Sequence, residues 1–92
     1  MKKVVIEDKE FITELERLQY EVQSRQSIIT YMINNGMDIT TDNFKKYQNE
    51  YTEYLKKYEN KKYEVEIKYV YPNYAQAKNW NLDFASGELI IK

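Results

Sequence analysis

The sequence predicts a mainly α-helical chain: an antiparallel, coiled-coil-like two-helix hairpin with a small β element built from its N- and C-terminal segments. Three observations carry that expectation. Two stretches of similar length repeat their apolar residues at helical spacing. Between them, Asn35-Gly36 offers the left-handed backbone that ends a helix, and Thr40-Thr41-Asp42 offers the side-chain oxygen that caps the next. Short β-branched or alternating runs lie near both termini. With 92 residues the whole chain, 1–92, reads as a single small domain, too short to enclose a large core by itself.

Residues 1–7 read as a strand, because Val4, Val5 and Ile6 are β-branched and continue no helical stripe. Asp8 then caps a helix over residues 8–34, with Glu10 placed favourably in its first turn. Phe11, Leu15, Leu18, Val22, Ile29 and Met32 step by threes and fours along one face, in an arc that also holds Ile28 and Ile33. Arg25 fills the one gap in that arc. Its guanidinium either snorkels to the edge and pairs locally or fixes register as a polar residue in an apolar seam. Tyr20 and Tyr31 fall on the opposite face, where together they could receive the C-terminal tail or a partner.

A second helix is expected over residues 42–70. Phe44, Tyr47, Tyr51, Tyr54, Leu55 and Tyr58 form its stripe, and Glu53–Lys57 and Glu64–Lys68 are helical ion pairs at four-residue spacing. Residues 63–71 alternate as a strand would. Val65 and Tyr69 nevertheless stay in phase with the helical stripe, and a second arm reaching Val70 matches the first in length. Helix is therefore the expected state, ended by Pro72. Residues 71–92 form an extended tail with a short β-hairpin. In it Trp80, Leu82 and Phe84 alternate with polar residues, Ala85-Ser86-Gly87 turns, and Leu89-Ile90-Ile91 returns. An antiparallel hairpin brings both termini to the same end, so the N-terminal strand can meet Leu89-Ile90-Ile91, within one chain or by exchange between two.

Composition excludes more than it assigns. There is no histidine and no cysteine, which removes Ser-His and Cys-His nucleophiles, thiolate or imidazole metal sites, and disulfides. Two glycines make no phosphate-cradling loop. Residues 38–49 begin like a calcium loop, but its glycine and glutamate positions are Asn43 and Asn49, and capping explains the same residues. The fifteen carboxylates alternate with lysines as on a solvated face. No catalytic residue, cofactor or metal is expected, and the chain does not read as an enzyme. No apolar run spans a bilayer and no signal peptide follows Met1-Lys2-Lys3, so a cytoplasmic chain without a membrane partner is expected.

Fourteen basic residues balance fifteen acidic ones, and Glu50, Glu53 and Glu64 interrupt the lysine pairs of the second helix, so nucleic acid is not an expected partner. Ten tyrosines are the outstanding bias. AT-rich codon usage accounts for them, and so does an interface, where Tyr covers much area at low entropic cost. The candidate interface residues are Tyr20, Arg25, Tyr31, Tyr74, Trp80 and Phe84. Trp80 is either a binding hot spot or the pin that holds the tail to the hairpin. The expected function is non-enzymatic interaction or assembly through an oligomeric helical-hairpin surface, with copies of the chain or another protein as partner. In composition alone, and in no motif, the chain is similar to short phage and plasmid proteins of AT-rich Gram-positive bacteria. That likeness implies an inhibitor or adaptor of a larger host protein as an alternative, and a nucleic-acid-associated helical protein is a third.

Overall fold

The structure is a computed structural model that describes residues 2–92; the expected strand position at Met1 lies outside them. Strand β1 (Lys2–Val5) leads into helix α1 (Lys9–Asn34), and helix α2 (Asp42–Val65) follows. A π-helical segment (Glu66–Val70) extends α2, and strands β2 (Trp80–Leu82) and β3 (Glu88–Ile91) close the chain. The chain is mainly helical, α1 and α2 pack against each other, and the termini form a small antiparallel sheet. It divides into two compact units, residues 2–16 with 60–92 and Arg17–Glu59.

The caps do what their residue types allow. Asp8 Oδ1 accepts the Phe11 N–H at 3.1 Å and satisfies a donor that the first turn of α1 would leave unpaired. At the other end Gly36 has φ +75°, the Met37 N–H reaches the Met32 carbonyl at 3.0 Å, and the Gly36 N–H reaches Ile33 at 3.0 Å. This pair of bonds is a Schellman motif, which needs a residue without Cβ strain at that position. Asp38 Oδ1 accepts both the N–H and the hydroxyl of Thr40, at 2.8 and 2.6 Å, and these bonds hold its carboxyl below the ordinary value of 3.8. Thr41 Oγ1 then accepts the Phe44 N–H at 3.3 Å and starts α2.

In the Arg17–Glu59 unit the buried side chains are Leu18, Val22, Met32 and Phe44. Ile29, Tyr51, Tyr54, Leu55 and Tyr58 are half-buried. Ile28 and Ile33, expected on the buried arc, are instead 44% and 52% exposed. The reason is geometric: Ile28 sits at the arc's margin, and the last turn of α1 faces the first turn of α2, which supplies only Phe44 as a buried apolar partner. Burial pushes the Tyr58 hydroxyl above its ordinary pKa of 10.0, and a hydrogen bond with Gln19 pulls part of that shift back.

The other unit is organised around β3. Strand order is β1-β3-β2, with Val4 opposite Leu89 and Lys2 opposite Ile91 on one side, and Leu82 opposite Leu89 and Trp80 opposite Ile91 on the other. Opposed residues share a sheet face, so Val4, Trp80, Leu82, Leu89 and Ile91 lie on one side together with Lys2, whose Nζ reaches out to the Asn73 carbonyl at 2.8 Å. Leu89 and Ile91 are fully buried, as are Val65 and Val70. The two valines explain the π segment. Positions five apart on an α-helix point roughly 140° apart at 100° per residue, so both could not face one core. Widening the coil to i→i+5 bonds, seen in Tyr71 N–H to Glu66 carbonyl at 2.9 Å, brings them onto one side. Helix thus continues to Val70 as the phase of the stripe predicts, but not as uniform α-helix. Ile12, outside the expected stripe, is buried as well, because its Cδ1 lies against the β2–β3 turn at Gly87.

Candidate interaction surface

The expected interface residues fall into two groups. Tyr20, Arg25 and Tyr31 belong to the Arg17–Glu59 unit; Tyr74, Trp80 and Phe84 belong to the other.

Arg25 is engaged locally. Its guanidinium carbon lies 3.9 Å from the centre of the Tyr54 ring, Nη1 pairs with the Glu21 carboxylate one turn back, and Nε sits 3.9 Å from Glu50 Oε2. The side chain is 23% exposed. A guanidinium stacked on an aromatic face keeps its hydrogen-bonding edge toward carboxylates, and this is how a cation fits in an apolar stripe. Lys57 lies 5.1 Å from the same ring, so Tyr54 meets cations from both helices.

Tyr20 and Tyr31 are open, 67% and 69% exposed. They stand eleven residues apart on α1, about 20° apart around its axis. Beside Tyr31 lies a depression of about 430 Å³ lined by Gln26, Ser27, Thr30, Tyr31 and Asn34. Ile33, Met37 and Ile39 are 52%, 41% and 60% exposed around the inter-helix connection. Sequence reading missed a signal that marks this region. Residues 26–37 carry no charge, in a chain of which 32% is charged. Depletion of charge around exposed apolar and aromatic side chains is the compositional mark of an interface centre.

In the other unit Trp80 is half-buried, and its indole N–H donates to Glu66 Oε1 at 3.3 Å, tying β2 to the π segment. Phe84 is half-buried and lines a cleft of about 420 Å³ with Ile6, Ile12, Thr13 and the Ala85-Ser86-Gly87 turn. Asp38 and Tyr58, whose pKa values shift, lie outside that cleft. Tyr74 is 37% exposed; Tyr63, Ile67 and Tyr71, at 60%, 50% and 42%, are open too. A charged depression lined by Asp8, Glu10, Glu14, Lys61, Glu64 and Lys68 surrounds Phe11, whose ring meets Tyr69 at 6.2 Å. Among the described residues, no three His, Cys, Asp or Glu side chains gather to hold a metal ion, and no helix is long and apolar enough to cross a membrane.

Scans against protein-family models, curated proteins and solved structures return no match for this chain.

Proposed function

We propose that the chain is a small interaction and assembly protein, which works by presenting the surface of its helical hairpin and carries out no chemistry. One observation supports this above the others. In the Arg17–Glu59 unit more large apolar side chains are exposed than buried, and those of residues 26–37 sit in a stretch without charge. Leaving such a surface in water is costly at about 25 cal/mol per Å² of apolar area, and a partner removes that cost. The unit's own charge does not oppose contact between copies, since six Lys and Arg meet six Asp and Glu within it.

The test is the concentration dependence of unfolding. If association is coupled to folding, the urea midpoint rises with protein concentration. A midpoint independent of concentration over two decades would contradict assembly. A second reading, an inhibitor or adaptor of a larger protein, is favoured by the exposure of Tyr20 and Tyr31, because tyrosine is enriched where proteins bind one another. Under that reading the free chain stays a monomer and associates only with its target.

A further inference from the structure

We infer that the outward face of α1 is a self-complementary seam, on which a second copy of this chain docks antiparallel through its own α1; this deepens the assembly reading and rests on it. Opposite its buried stripe, α1 carries Arg17, Tyr20, Ser24, Ser27, Tyr31 and Asn34. Their spacing is three, four, three, four, three, the alternation that keeps a seam on one side of a helix. The spacing reads the same in both directions, and so do the inner four residue types: Tyr, Ser, Ser, Tyr.

A two-fold axis between Ser24 and Ser27 therefore sets Ser24 of one copy against Ser27 of the other, and Tyr20 against Tyr31. The residue set opposite each position is the one a two-fold contact requires. Size works with symmetry. The two serines at the centre let the helix axes approach to about 8 Å. The tyrosines flank them, each 67% or more exposed, and the depression of about 430 Å³ beside Tyr31 receives the partner's Tyr20. Arg17 meets Asn34 rather than another arginine, so no like charges are opposed along the seam. A parallel pairing would set arginine against arginine and align the two helix dipoles unfavourably.

The exposure agrees with this occupant. Among the described residues the two most exposed large hydrophobic side chains are Tyr20 and Tyr31, at 67% and 69%, and both stand on this face. From Arg17 to Asn34 the seam is ~26 Å long at 1.5 Å per residue, long enough for side chains on five helical turns to interdigitate.

Because the chain lacks cysteine, crosslinking reads the register directly. The variants S24C, S27C and, on the outer side of α2, K56C are made singly, and S24C is mixed with isotope-labelled S27C under mild oxidation. Disulfides close when Cα atoms come within about 7 Å, so the mixed dimer is expected to outpace S24C or S27C with itself, whose positions stand three residues, about 4.5 Å, further apart along the helix axis. Preferential S24C self-crosslinking would mean parallel pairing and overturn the seam. Equal crosslinking by K56C would mean random collision, with the same consequence. A wild-type dimer by sedimentation that yields no mixed crosslink would overturn this seam and leave the assembly reading standing; a wild-type monomer would overturn both.

Discussion

Arg25 shows how a single charged residue is accommodated on an otherwise apolar stripe. Its contacts are a ring face and two carboxylates, all within the hairpin, and the partly exposed ion pairs are individually worth little. Most of its contribution comes from covering Tyr54 and from its own aliphatic stem. Arg25→Ala is therefore expected to lower stability by about 1–2 kcal/mol in urea titration, and Arg25→Leu by less, since leucine restores the missing apolar position. Equal losses would assign the effect to charge. Tyr58 gives a pH prediction. Its folded pKa is raised, so the folded state keeps a proton that the unfolded state gives up. The contribution is fully present below the ordinary value of 10.0 and is lost as pH rises through the higher folded value. Between about pH 9 and pH 11 the wild type should lose more stability than Tyr58→Phe; identical slopes would contradict the burial of that hydroxyl.

At the scale of elements, the two positive-φ glycines do different work. A Cβ at Gly36 meets open space, so Gly36→Ala costs only the left-handed backbone, about 1 kcal/mol. At Gly87 the same Cβ would lie 2.8 Å from the Ile6 carbonyl oxygen, which the backbone cannot move without breaking the Ile6 N–H bond to Gly87 at 2.9 Å. Gly87→Ala is expected to cost roughly 2–4 kcal/mol and to shift the fluorescence of Trp80, the one tryptophan, whose strand is next to that turn. Comparable losses at the two glycines would argue against the tight β1–β3 approach. The elements also show what could be read from sequence and what could not. Caps at Asp8, Gly36 and Thr41 were legible because they depend on neighbours a few residues away. The meeting of the terminal strands was legible because a hairpin returns its ends together. The π segment was not, since it exists to bring Val65 and Val70 onto one core, and that core is made with strands ten or more residues away along the chain. Ile12 was missed for the same reason: its partner is the Gly87 turn.

At the scale of the whole molecule, a helical projection gives the direction of a side chain but not how far the opposite helix reaches. Ile28 and Ile33 were therefore expected inside and are found outside. Tyr20 and Tyr31 were legible as outward-facing, and Arg25 as a polar residue on the stripe, because both follow from phase alone. The uncharged stretch 26–37 was equally available, and it supports the proposal that another chain covers this end of the hairpin. Association of copies is the claim on which the proposed function stands, and the α1 seam rests on it in turn. The measurement that tests it most directly is sedimentation equilibrium at micromolar concentration, run side by side on the wild type and on Tyr31→Lys, with far-UV circular dichroism to show that both are folded. The account predicts a dimer for the wild type and a monomer of unchanged helix content for the variant; a wild type that sediments as a monomer throughout would contradict it.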